Sequence, residues 1–279
     1  LAEVDKLQRY FQGSLKIVLF LREDIYEVLL QHDAELPKRN LLRMQWTVSN
    51  LKHVVAERIA AGASAKNEDD DATWSSVFCP HVRNQITNDY ILSRTLPRPR
   101  DILDFCQKAI DQAQRNGHDI VTAEDVLDAE AEFSESLFRS ICLEYRTVYP
   151  KLEDVLLEFV EARYIMGWKE FEELGHTILA RHRKIIDTWY GVDNPDIHYL
   201  SSVLFRIGFI GFAQSGRQFR LFADGRSFRE TWSLVRPAPQ VEIHSAFHRV
   251  LEIKVEGAPF AVARRRRKSL VDDRQMHLD

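Results

Sequence analysis

The run Leu15 to Leu21, LKIVLFL, is apolar at every position but Lys16, and Arg22 closes it. So continuous a pattern suits a strand buried on both faces, as in a parallel sheet covered by helices, rather than the alternation of a half-exposed strand. A charge at the carboxyl end of such a strand projects into the crevice where open α/β sheets take their ligands. Arg22 is therefore the first candidate functional residue, because a guanidinium is always charged and can fork onto phosphate oxygens. It is equally placed for a surface network with Glu23, Asp24 or Asp33. Asp24 suits the cap of the helix-like stretch REDIYEVLL that follows.

Around this run, Leu1, Val4, Leu7 and Phe11 recur at helical spacing, as do Leu51, Val54, Val55 and Ile59 before Gly62. Residues 1–62 thus read as the last pieces of an α/β layer. The acidic stretch Asn67 to Ala72 has no hydrophobic period and reads as a solvated loop within a connecting segment, 63–95. Pro97 and Pro99 forbid helix through LPRPR, after which Ile102, Phe105, Cys106, Ala109, Ile110 and Ala113 give an apolar stripe ended by Asn116-Gly117. Thr122 and Asp125 form a capping-box pattern for a second helix that runs on through Leu137, Ile141 and Tyr145. Residues 96–150 are expected to be a helical unit.

Two more amphipathic stretches, split by Gly167-Trp168, make 151–192 a pair of connecting helices. Over 193–255, a helix in YLSSVLFRIGFIG ends at Gly208. Alternating segments punctuated near Gln214 to Gly216, Asp224-Gly225 and Pro237 follow, and HSAFHRVLEI turns helical again. A helix feeding a small antiparallel sheet is the outline of a winged-helix domain. Residues 256–279 form a basic tail. The expected class is mainly α with an α/β remnant: the end of an α/β domain, a helical bundle and a winged helix.

A net charge of −4 over 279 residues sets up no strong global field for nucleic acid, although Arg264 to Lys268 is a local cationic run able to grip a phosphate backbone. The same run also reads as a solvated tail, since no aromatic residue is interleaved to stack on bases. Cys79, Cys106 and Cys142, an odd and widely spaced set, indicate reduced thiols and a cytoplasmic protein. No apolar run approaches the roughly 20 residues needed to cross a bilayer, so no membrane partner is expected. His244 and His248, four apart, and Cys79-Pro80-His81 offer pairs of metal ligands without two further ligands at recognisable spacing, and no metal site is expected. Hydrolase, zincin and dinucleotide motifs are absent.

Four segments together carry a resemblance: IVLFLREDIY at 17–26, LPRPRDILDFCQKAI at 96–110, LFRIGFIGF at 204–212 and VEIHSAFHRVL at 241–251, with Trp46 between the first two. In this order they resemble the carboxyl-terminal part of a STAND-type P-loop ATPase, a branch related to AAA+ and KAP-type ATPases. The G-x-x-x-x-G-K-[ST] loop and the acidic strand end of such enzymes are not in these residues. The resemblance implies the sensor strand, helical lid and winged helix of a nucleotide switch whose whole protein binds ATP or ADP with Mg²⁺. On that reading Arg22 senses the terminal phosphate, and Pro97, Arg98 and Arg100 close over the nucleotide. His244 approaches the β-phosphate of ADP, although Ser245 stands where the family has aspartate. Protein partners or self-assembly, and a setting in bacterial stress or antiphage defence, are further implications. The ATPase activity would belong to the full-length protein. The competing expectation is a winged-helix nucleic-acid-binding protein without ATPase activity.

Overall fold

Local capping chemistry sets the frame of the helical part. In the computed structural model, which describes residues 44–66, 69–189, 194–213, 219–221 and 239–255 with scattered positions among the first 42, Thr47 opens helix α1 (Val48–Gly62) through a reciprocal capping box with Asn50. Asp69 accepts from the amides of Asp71 and Ala72 at 3.2 Å each and opens α2 (Asp70–Ser75). The acidic stretch expected to be a loop is thus a helix start from Asp69 onward, with Asp71 paired to Lys52 and Asn88. Negative side chains are favoured in a first helical turn, so this charge run starts a helix while Asp69 and Asp71 stay exposed.

A two-stranded hairpin, β1 (His81–Val82) and β2 (Gln85–Ile86), leads into α3 (Thr87–Ser93). Helix α4 (Pro99–Asn116) has proline at its first position and ends on Gly117, whose φ of 73° closes the turn. Helix α5 (Ala123–Glu144) begins on the Thr122–Asp125 capping box. Asp125 is fully buried and accepts from Thr122, Asn116 and His118. Burial alone would raise its pKa, but those donors prevail and hold it down to about 2. Arg98 meets Glu144 at one end of the α4–α5 pair and Asn116 meets Asp125 at the other, so the two helices run antiparallel. Between them the rings of Phe105 and Phe133 stack, with centroids 4.7 Å apart and planes 7° from parallel.

Beyond α6 (Leu152–Leu156) and a 3₁₀ turn at Leu157–Phe159 come β3 (Ile165–Gly167), α7 (Trp168–Arg181), α8 (Arg183–Ile186), α9 (Ile197–Arg206), β4 (Ile210–Ala213), β5 (Phe219–Leu221) and β6 (Gln240–Ile243). The strands form one antiparallel sheet in the order β3-β6-β4-β5, with Met166 opposite Val241 and Gly211 opposite Glu242. Val241 and Ile243 of β6 and Phe212 of β4 are buried in one core with Phe205, Phe209 and Phe247, where Phe205 packs on Phe212 and Phe209 on Phe247. The chain is therefore mainly helical with small antiparallel sheets.

Gly208 carries the turn from α9 into β4 with φ at 82°, and a Cβ there would lie 2.9 Å from Leu96 Cδ2. Gly208→Ala should therefore cost about 1–3 kcal/mol in urea unfolding, from left-handed strain together with the clash. Gly117→Ala, where a Cβ meets nothing within 4 Å, should cost less.

Two units are distinguished, Leu1–Met44 and Gln45–Asp279. In the first, the described residues Lys16–Leu21 carry no strand, and Val18 and Phe20 are 73% and 83% exposed. The buried strand expected there is corrected on that observation. A strand is held by its ladder, and no described residue pairs with this run. In the second unit, α1 packs against α2, α3 and α4 through Leu51, Val55 and Ala56, with half-buried Trp46 beside the same core.

Candidate functional site

Helix α4 starts where the sequence places its candidate lid. Arg98 is the N-cap, in extended conformation, and Pro99 follows with its φ already helical and no amide hydrogen to satisfy. Both arginines are already engaged. Arg98 Nη1 donates to Glu144 Oε2 at 2.8 Å, Arg100 Nη2 lies 3.6 Å from the same oxygen, and Arg100 Nε donates to Asp101 Oδ1 at 3.2 Å. Asp101 sits in the first turn of α4, is buried, and its Oδ2 meets no hydrogen-bond partner. Burial lifts its pKa above the usual carboxylate range against the pull of Arg98 and Arg100. An anion at this helix start would compete with Glu144 for the same guanidiniums.

A second polar cluster lies where α3, α5 and the segment after β6 meet. Glu130, 7% exposed on its side chain, is the one carboxylate shared by Tyr90, Arg94 and Arg249. The Tyr90 hydroxyl donates to Oε2 at 2.7 Å, Arg94 Nε donates to Oε1 at 3.0 Å, and Arg249 Nε lies 3.6 Å from Oε2. The Arg94 guanidinium also lies over the Tyr90 ring, 3.5 Å from its centroid. Burial, then the Glu130 charge, pushes the Tyr90 hydroxyl up, so the phenol stays neutral and donates. Nearby, Ser134 Oγ donates to the Ala246 carbonyl at 2.6 Å and accepts from the Val250 amide at 3.2 Å, while Ser245 Oγ donates to the Ser93 carbonyl.

His244 belongs to this second cluster. It is 3% exposed and its Nδ1 accepts from the Ala246 amide at 3.0 Å, capping the 3₁₀ turn Ser245–Phe247. Burial first, then His248 and Arg94, drive its pKa down to about 3, so the ring is neutral. His248 Nε2 bonds the Ile243 carbonyl at 2.8 Å, and burial lowers its pKa too. The helix expected through HSAFHRVLEI is shortened to this 3₁₀ turn and the turns after it.

Arg22, Asp24 and Arg264 to Lys268 lie outside the described residues. The structure thus gathers Arg98 and Arg100 on Glu144, and His244 with Arg94 near Glu130. Sequence reasoning missed Tyr90, Arg94, Glu130 and Arg249. One signal was present: Val126, Glu130, Ser134 and Phe138 follow one another at four-residue spacing, so two polar residues interrupt a core-facing stripe of α5. Among the described residues no group of three His, Cys, Asp or Glu side chains is placed to hold a metal ion, and no helix is long and apolar enough to cross a membrane.

The helical part has a known counterpart. Residues 49–142 match the FunZ-associated C-terminal helical domain. That stretch includes Tyr90, Arg94 and Glu130 but ends before the segment that Glu130 and Ser134 hold. Among curated proteins, the chain is 22% identical over 148 residues to the 80.3 kDa transposon gamma-delta protein of Escherichia coli strain K12, an alignment covering 52% of this chain and 21% of that protein. It is 21% identical over 143 residues to the allergen Alt a 2 of Alternaria alternata, covering 50% of this chain and 75% of the allergen. The chain thus spans about a fifth of the bacterial relative's length. No solved structure matches it.

Proposed function

We propose that this chain is the moving part of a nucleotide-dependent switch, the helical lid and winged helix of a larger STAND-like P-loop ATPase. The observation that carries the reading is the order of elements after α6. A strand, three helices of which the second is a single turn, and then three strands follow one another, and the last strand, β6, pairs between β3 and β4 in the order β3-β6-β4. That arrangement supports a winged-helix unit, with β5 lying inside the wing. The polar cluster at Glu130 then joins this unit to the α4–α5 pair, as a switch element must be joined to the lid that reports nucleotide state.

At the nucleotide side, Arg98 and Arg100 share Glu144 in the structure, and phosphate would compete with that carboxylate for the same guanidiniums. Nucleotide arriving at α4 therefore has a direct consequence for the α5 terminus that bears Glu144. Hydrolysis or exchange of ATP for ADP, with Mg²⁺, would be performed by the whole protein in the cytoplasm.

The nucleic-acid reading would require a helix of the winged unit to enter a groove. Helix α9, which directly precedes the wing, buries Ile197, Tyr199, Leu200, Ser201, Ser202, Val203, Leu204 and Phe205, so it offers no free face to DNA. That weighs for the switch and against groove reading by α9.

The test is titration of ATP and ADP, with Mg²⁺, into the full-length protein that contains this chain. Binding should weaken by about tenfold or more in Arg98→Ala, the loss of one charge-assisted phosphate contact. Absence of binding to either nucleotide removes the proposal. Salt-dependent binding to random duplex DNA, lost on deleting residues 263–268, would instead support the competing reading.

A further inference from the structure

The polar cluster around Glu130 contains more than an anchor, because its two histidines are neutral and can each gain a proton. Four elements face one another there, one of them the stretch before β3, whose Tyr164 ring lies edge-on to His248 with centroids 6.0 Å apart. From α3 and the turn after it come Tyr90 and Arg94, with Arg83 of the β1–β2 turn acting on Tyr90 from further out. From α5 comes Glu130, beside Ser134. From the segment after β6 come His244, His248 and Arg249. Arg94 acts on both histidines and Glu130 on His248. Two guanidiniums already stand against one carboxylate, so each added proton deepens an excess of positive charge in a buried place.

The hydrogen bonds point the same way. The 3₁₀ turn that seats Ala246 and Phe247 against α5 is capped by His244 Nδ1 acting as an acceptor. A protonated ring has a hydrogen at that nitrogen, aimed at the Ala246 N–H, and can no longer accept. The remaining attachments at this seat include Ser134 Oγ to Ala246 and Val250, and Ser245 Oγ to Ser93. None of those hydroxyls titrates.

We propose that the segment His244–Ile253 is an acid-released latch, held on α5 while His244 and His248 are neutral and freed from the helical unit when they take up protons. The direction follows from linkage. A detached segment carries ordinary histidines that protonate from about pH 6.5 downward, whereas the seated His244 resists protonation down to about 3. Latching is complete above the first value and is lost progressively as the pH falls between the two. The inference does not depend on nucleotide binding, since every group in it belongs to the chain.

Native-state hydrogen exchange on the full chain, corrected for intrinsic rates, tests it. Between about pH 7.5 and pH 5, protection of the Ala246, Val250 and Leu251 amides should fall by about tenfold or more while amides in the middle of α4 keep theirs. His244→Asn, which retains a side-chain acceptor without a basic nitrogen, should flatten that dependence. Ser134→Ala should lower protection by a similar factor at both pH values and leave the dependence intact. His248→Gln, which keeps a donor for the Ile243 carbonyl, gives the same reading as His244→Asn and replaces it if that variant does not fold. Loss of protection in α4 at the same pH as in the segment, or an unchanged pH profile in the histidine variants, overturns the latch.

Discussion

Glu130→Ala should be the most destabilising single change in the polar cluster, with a loss of about 3–5 kcal/mol in urea unfolding at neutral pH. The size comes from what the substitution leaves behind. Arg94 and Arg249 would have no anion, and the buried Tyr90 hydroxyl would lose its acceptor. A domain of this size holds only about 5–15 kcal/mol in total, so the variant would be close to unfolding at physiological temperature. Glu130→Gln keeps an acceptor and loses the charge, and should fall between Glu130→Ala and Tyr90→Phe, whose cost is about 1 kcal/mol for one hydrogen bond. A Glu130→Ala protein within about 1 kcal/mol of wild type would show that the arginines find other partners and that the cluster carries little.

The large cost is not a sign that the cluster is a net stabiliser. Buried ion pairs often contribute less than an apolar cluster of equal volume, because desolvation offsets attraction. Replacing Tyr90, Arg94 and Glu130 together by Phe, Met and Met should therefore recover most of the loss. Such a replacement would leave His244 and His248, and with them the pH dependence of the segment after β6, in place.

The contrast between this cluster and the α4–α5 pair explains what was legible in the sequence. Pro99, Asn116-Gly117 and the Thr122–Asp125 pair act within one helical turn of their targets, so reading them needed only local chemistry. Helix α5 stands where it was expected, whereas α4 starts at Pro99, inside the LPRPR stretch expected to be free of helix, because proline is tolerated at a first helical position. Gly208 marked the end of α9 for the same reason. Glu130 reaches Tyr90 and Arg94 across 40 and 36 residues, and Ser134 reaches Ala246 across 112. Nothing in periodicity encodes such pairings. Strand β3 escaped notice likewise: Ile165–Gly167 is too short for an alternating pattern and exists by pairing with β6. The run at Lys16–Leu21 failed in the opposite sense, since its hydrophobicity announced burial while pairing depends on neighbours that composition does not describe.

Phe133→Ala should cost about 3–5 kcal/mol, the loss expected for a fully buried aromatic ring in a packed core. Phe133 is 1% exposed and stacks on Phe105 between α4 and α5, one residue from Ser134 and three from Glu130. Its neighbours on α5 hold the segment after β6, whereas Phe133 holds the two long helices to each other. The two kinds of contact should separate in exchange experiments. Phe133→Ala should lower protection throughout α4 and α5, while Ser134→Ala should lower it only around Ala246 and Val250. A double-mutant cycle with Phe105→Ala should return a coupling of about 0.5–1.5 kcal/mol for the stacked pair. Were Phe133→Ala to loosen only the segment after β6 and spare α4, the α4–α5 pair would not be the rigid body on which a latch can act.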